Sequence, residues 1–134
     1  DRVRIAYPAQ WEEVLRAGNA HPPMTLRVNV RRASVQSYLE KLAHAELHAR
    51  PLGGAAVLLE RPCRIDALPG FAEGEISVQD KGAQAAAPLL DVKPGMRVLD
   101  ACGAPGGKAA HLLELWECEL IAVDISRARA VRID

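Results

Sequence analysis

The chain reads as α/β: a small α+β module followed by the opening strand–helix–strand of a second, larger sheet. Three observations predict this. Residues 24–30 alternate apolar and polar side chains, the period of a half-buried strand, and lead into a helical stretch and another apolar run. Near the other end, Arg97, Val98 and Leu99 form a short apolar strand that runs through Asp100 into a glycine bend, Cys102-Gly103-Ala104-Pro105-Gly106-Gly107-Lys108. Residues 119–124 are a second apolar run that also ends on a carboxylate, Asp124. The expected division is 1–70 for the module and 71–134 for the start of the second domain.

In chain order, residues 8–17 have helical composition, with Trp11, Val14 and Leu15 on one face and Gly18-Asn19 as a stop. Pro22-Pro23 breaks the chain. In the strand that follows, Met24, Leu26, Val28 and Val30 form the apolar side, and Arg27 and Asn29 the other. Ser34 starts a helix that runs to about residue 45, with Val35, Tyr38, Leu39 and Leu42 inward. Leu52-Gly53-Gly54 is a turn, 55–59 a strand, and 61–69 irregular or a short strand. Pro69-Gly70-Phe71 and Gly74 mark a loop; 75–78 reads as a strand and 82–90 as a helix. Lys93-Pro94-Gly95 is the turn before the strand at 97–99. Residues 108–115 are a helix with Leu112, Leu113 and Trp116 at core-facing spacing.

A length of 134 residues allows one domain or two small pieces. Apolar residues at 49% suffice for a core, and 25% charged residues keep the chain soluble; no run approaches a membrane span or a signal peptide. The three cysteines, Cys63, Cys102 and Cys118, are odd in number and unpatterned, which fits a reducing compartment and a cytoplasmic protein. Net charge is zero, but residues 1–66 carry ten Lys/Arg against seven Asp/Glu, and 67–134 carry seven against ten. The basic first half suits phosphate contacts, with Arg27, Arg31 and Arg32 as candidates. The same three residues also suit an ordinary solvated strand edge and loop. Aromatics are 4% of the chain, so a base-stacking platform is not expected.

Three ligands compete for the glycine bend. A phosphate-binding loop requires Gly-x-x-x-x-Gly-Lys-Ser/Thr, but position 102 is Cys and position 109 is Ala, which removes the hydroxyl that holds Mg²⁺. A dinucleotide loop requires Gly-x-Gly-x-x-Gly, whereas the order here is Gly103-x-x-Gly106-Gly107. The third is S-adenosylmethionine, which needs a close backbone approach for its methionine part and an acid for its ribose hydroxyls. Asp124 lies 24 residues after Asp100, a fitting separation for an acid at the end of the second strand of a βαβ unit. The competing role for Asp124 is to cap a helix starting near Ser126.

The run from Asp100 to His111 resembles the cofactor motif of the Nol/Nop/Sun family of RNA 5-methylcytosine methyltransferases, on its bacterial ribosomal RNA branch. Supporting matches are Tyr7-Pro8, Gln10-Trp11, Arg27-Val28-Asn29, Leu68-Pro69-Gly70-Phe71, Val78-Gln79-Asp80 and Val123-Asp124-Ile125. The resemblance implies an RNA-recognition-like module ahead of a Rossmann-like methyltransferase domain. It implies S-adenosylmethionine held by Cys102, Gly103, Ala104, Pro105, Gly106, Gly107, Lys108 and Asp124, and small-subunit ribosomal RNA as substrate. It also implies attack of a cysteine thiolate on cytosine C6, which makes C5 nucleophilic enough to take a methyl group. The family's two working cysteines lie in Thr-Cys and Pro-Cys contexts on later strands, which the resemblance puts beyond Asp134, and Cys102 matches a loop position instead. The expectation is a fragment that carries the cofactor loop, is inactive alone, and exposes apolar surface or pairs with a second copy. The rival from another class is a non-catalytic RNA-binding module with a vestigial nucleotide loop.

Three further features carry expectations of their own. His44 and His48 are spaced i, i+4, but a third ligand is missing nearby, and no metal is expected. His111 reads as helix packing or capping, with lining of the cofactor pocket as the lesser alternative. The resemblance implies that Gln79-Asp80 falls at a Gln-Asp turn entering the catalytic domain, and Asp80 is given no cofactor role.

Overall fold

A computed structural model describes residues 1–133. Asp134, the expected end of the second-domain segment and the point beyond which the family's two cysteines are expected, lies outside the described residues. Two helices, Arg2–Ala6 (α1) and Trp11–Asn19 (α2), precede the first strand, Thr25–Val28 (β1). Then come Val35–His44 (α3), Ala49–Gly53 (β2), Ala56–Leu59 (β3), a 3-10 turn at Ile65–Ala67 and Ile76–Val78 (β4). These strands make one antiparallel sheet in the order β2-β3-β1-β4. Because β4 pairs with β1, the first sheet extends past the expected division at residue 70.

Helix α3 starts as the sequence indicates. The Ser34 hydroxyl accepts from Ser37 N–H and the Ser37 hydroxyl accepts from Ser34 N–H, satisfying donors that the first turn leaves open. Tyr38 and Leu42 then pack on Leu26, Val28, Val57, Leu59, Leu68 and Ile76 to form the module's core. The Tyr38 hydroxyl, fully buried with its ring, donates to Pro69 O at 3.0 Å.

Three local expectations differ. The His44/His48 pair does not share a helix: α3 ends at His44, and Glu46 takes a positive φ of 59° that turns the chain into β2. Strand β2 runs through Pro51 into residues 52 and 53, which the sequence reads as part of a turn with no strand before it; at the sheet edge the missing N–H of Pro51 costs no ladder bond. The helix expected at 82–90 is divided into Lys81–Gln84 (α4) and Ala86–Leu89 (α5). Pro88 supplies the reason, since it has no N–H to give the carbonyl four residues earlier.

The second sheet holds two parallel strands, Arg97–Asp100 (β5) and Glu119–Ala122 (β6), joined by Gly107–Leu115 (α6). A short helix, Arg127–Ala130 (α7), follows. Ala87, Val92 and Leu112 form a second core, lined by Val98, Leu115, Trp116, Cys118 and Leu120. Alternation along the strands sends Leu99, Ile121 and Val123 to the opposite face, where they are 64%, 46% and 46% exposed. This is the open apolar surface expected of a sheet with so few strands. Among the described residues no helix is long and apolar enough to cross a membrane.

Candidate functional site

The bend lies where β5 and β6 both end, as parallel pairing requires. It is pinned to β6 through its backbone: Gly103 N–H donates to Val123 O at 2.8 Å, and Val123 N–H donates to Asp100 O at 2.9 Å. A methyl group on Gly103 would sit 2.8 Å from the Ala122 Cβ, so a side chain there is excluded by contact rather than by backbone angle. Gly106 is the opposite case. Its φ of 104° is a conformation that L side chains rarely adopt, and it turns the chain into α6. Gly103, Ala104 and Gly106 are buried, Gly107 is half-buried, and Cys102, Pro105 and Lys108 are exposed.

Asp124 is brought to the bend from the end of β6. Its Oδ2 accepts from Ala104 N–H at 3.2 Å and its Oδ1 accepts from Ser126 N–H at 2.9 Å. The Ser126 and Ala104 N–H groups, with Arg129 3.9 Å away, hold the carboxyl below the usual carboxylate range against the opposing effect of burial. The cap role and the bend contact therefore coexist in one side chain. With only 4% of that side chain exposed, the carboxylate braces the bend from behind. Arg129 adds a second brace by donating to Ala104 O at 2.7 Å.

In front of the bend is a cleft of about 350 Å³, lined by Asp80, Asp100, Cys102, Gly103, Ala104, Pro105, Gly107 and Lys108 together with Val78, Gln79 and Ala83. Asp80 stands outside every spacing argument made on the bend, because it arrives from the turn after β4 in the first sheet. The Val78-Gln79-Asp80 match was the available signal. Among the described residues no group of three or more His, Cys, Asp or Glu is placed to hold a metal ion.

Arg27 is the main departure from the sequence reading. Expected on a wet strand face for phosphate contact, it is 0% exposed. Strand β1 is internal to its sheet, and α6 covers the face that carries Arg27. Its Nε and Nη2 donate to the Glu114 carboxylate at 2.9 and 2.7 Å, a two-pronged pair. Nη1 donates to Gly107 O at 2.7 Å and to Gln79 Oε1, and Nη2 also reaches Ser77 Oγ at 3.3 Å. A guanidinium so enclosed has no donor left for RNA. Arg31 and Arg32 are exposed on the loop after β1; Arg31 Nε donates to Glu114 O at 2.9 Å and Arg32 Nη1 to Glu73 O at 2.6 Å.

His111, one turn along α6 from Gly107, is 4% exposed, and its Nδ1 has no hydrogen-bond partner among the described residues. Burial, and next the Arg27 guanidinium, push its pKa down from 6.5 to about 4, so it packs as the neutral ring. Between these two values the unfolded chain binds a proton that the folded chain does not. Stability is therefore expected to fall as pH drops from 6.5 toward about 4 and to level off below that, by up to about 3 kcal/mol. His111→Leu is expected to remove this slope, as read from urea midpoints at neutral and mildly acid pH. A slope that survives the substitution would assign it to other groups.

Comparison with known proteins gives a consistent picture. The family model described as "Methyltr_RsmF/B-like, ferredoxin-like domain" matches residues 1–66, and that described as "16S rRNA methyltransferase RsmB/F" matches residues 87–134. The chain is 50% identical to ribosomal RNA small subunit methyltransferase B of Pseudomonas syringae pv. tomato, over 98% of this chain and 30% of that protein. Among solved structures it resembles PH0851 with a TM-score of 0.84 at 31% identity, over 98% of this chain and 31% of that one. It also resembles a methyltransferase homologue from Pyrococcus horikoshii with a TM-score of 0.80 at 27% identity, over 99% and 45%. The chain thus spans about a third of the length of the curated relatives it matches. With each half matched by a model of the same group, and with identity of this size along nearly its whole length, the chain belongs to the RsmB/F family of methyltransferases.

Proposed function

We propose that this chain supplies the RNA-facing module and the cofactor loop of a cytoplasmic, S-adenosylmethionine-dependent methyltransferase that acts at cytosine C5 of small-subunit ribosomal RNA. The carrying observation is the glycine bend, clamped between β6 and Asp124, which opens on a cleft with acidic groups and an α6 N-terminus. The residues fit the cofactor by charge. Asp80 and Asp100 suit its ammonium and sulfonium, while Lys108 and the first-turn N–H groups of α6 suit its carboxylate. Gly107 keeps the wall low, since a Cβ there would meet only Gln79 Nε2, at 3.8 Å. When bound, the cofactor supplies an electrophilic methyl group on a sulfonium.

Asp124 acts in this reading through the bend: it fixes the Ala104 peptide from behind, so its effect on the cofactor runs through the loop rather than through a ribose contact of its own. Arg31 and Arg32 remain the phosphate contacts of the module, each giving up a carbonyl partner for a phosphate oxygen. None of the three free thiols is assigned to attack on the base. Cys102 belongs to the bend, and Cys63 and Cys118 lie half-buried away from it, so the chain alone is expected to be inactive.

The test is isothermal titration with S-adenosylmethionine and its demethylated product, on this chain and on the full-length protein. Asp124→Ala is expected to weaken binding by at least about tenfold, since it removes an acceptor that two backbone N–H groups use. RNA binding without cofactor affinity in either chain would favour the vestigial-loop module instead.

A further inference from the structure

The buried guanidinium of Arg27 sits behind the bend rather than in it. It is held on one side by its own sheet, through Ser77 and Gln79, and on the other by α6, through Glu114 and the Gly107 carbonyl. Gln79 Nε2 approaches the same Gly107 carbonyl at 3.4 Å. Thus the last glycine of the bend is fastened to the first sheet, although 80 residues of chain separate it from Arg27.

The fastening has a directional consequence. In a planar trans peptide the carbonyl and the following N–H point opposite ways. Fixing the Gly107 carbonyl toward Arg27 therefore fixes the Lys108 N–H away from it, and Lys108 lines the cleft in front of the bend. Lys108 is also in the first turn of α6, where that N–H has no partner within the helix. Its direction along the helix axis follows from α6, but where that first turn stands relative to the cleft is fixed by a side chain from the other half of the molecule.

Resting on the methyl-donor reading of the bend, we propose that Arg27 is a positioning residue for the cofactor: by holding the Gly107 carbonyl it fixes where the first turn of α6, and with it the Lys108 N–H, meets the bound ligand. Glu114 is its counterweight. The forked contact with its carboxylate leaves the guanidinium one orientation.

The experiment uses the full-length protein and S-adenosylhomocysteine as the probe. Arg27→Met combined with Glu114→Met removes both charges at similar volume, an exchange that buried ion pairs commonly tolerate without loss of fold. The expected result is a double variant that still unfolds cooperatively, with a urea midpoint lowered less than in Arg27→Ala, and with binding weaker by on the order of tenfold and a matching rise in the KM for the methyl donor at constant kcat. A folded double variant that binds like the parent overturns the proposal. Arg27→Lys is the second variant. It keeps a charge against Glu114, but one ammonium cannot reproduce the fork on Glu114 and the bond to Gly107 together. Its binding should weaken too, and parental affinity would again overturn the proposal. If the parent itself does not bind the probe, the methyl-donor reading fails, whatever Arg27 does.

Discussion

Arg27→Ala is expected to destabilise the protein by about 3–5 kcal/mol, the scale for breaking a buried ion pair by removing one partner. The substitution removes the cation from which Glu114, whose side chain is 11% exposed, accepts two hydrogen bonds. It also leaves Gly107 O, Gln79 and Ser77 facing a cavity where a guanidinium had satisfied them. Because the contact joins the two sheets, the loss should appear as a lower urea midpoint and as separation of one unfolding transition into two. Lys41→Ala is the control. Lys41 pairs with Glu75 at 2.6 Å but is 44% exposed, and an exposed pair of this kind contributes about 1 kcal/mol or less. Equal effects of the two substitutions would mean that Arg27 is not enclosed as described.

Arg27 also shows where reading the sequence stops. Its alternation with Leu26 and Val28 correctly gave a strand with Arg27 on the polar side. The rule takes the polar side to be wet, which holds for antiparallel sheets covered on one face. Here α6 covers the second face, and the partner that neutralises Arg27 lies 87 residues away, beyond any periodicity. The same limit hid β2, since residues 52 and 53 read as part of a turn until the sheet order shows an edge strand running through Pro51. It hid Asp80 as well, which enters the cleft from the other sheet. The bend itself was legible because its geometry is local: a strand, three glycines and a helix start within a dozen residues. Asp124 was legible because two parallel strands must end at the same edge.

Gly103→Ala is expected to damage the bend most for the least change in chemistry. The added Cβ would lie 2.8 Å from the Ala122 Cβ and 3.4 Å from the Ala122 Cα, atoms with no rotamer through which to yield. Relief requires lifting the bend off β6, which lengthens the 2.8 Å bond from Gly103 N–H to Val123 O and the 3.2 Å bond from Ala104 N–H to Asp124. Overpacking of this sort costs about 1–3 kcal/mol. Cofactor affinity should fall by more than about tenfold, because every bend atom on the cleft moves with Gly103. Denaturant titration and calorimetry on the same sample read both effects. Gly107→Ala separates steric damage from loss of the cleft wall. With φ outside the left-handed region and only Gln79 Nε2 nearby at 3.8 Å, it should leave stability unchanged or slightly raised, yet still weaken a ligand that lies against Gly107. Adding Ala122→Gly to Gly103→Ala reopens the space and should restore much of both losses, since the two positions act through one contact. A Gly103→Ala protein with parental stability and affinity would show that the bend does not rest on β6.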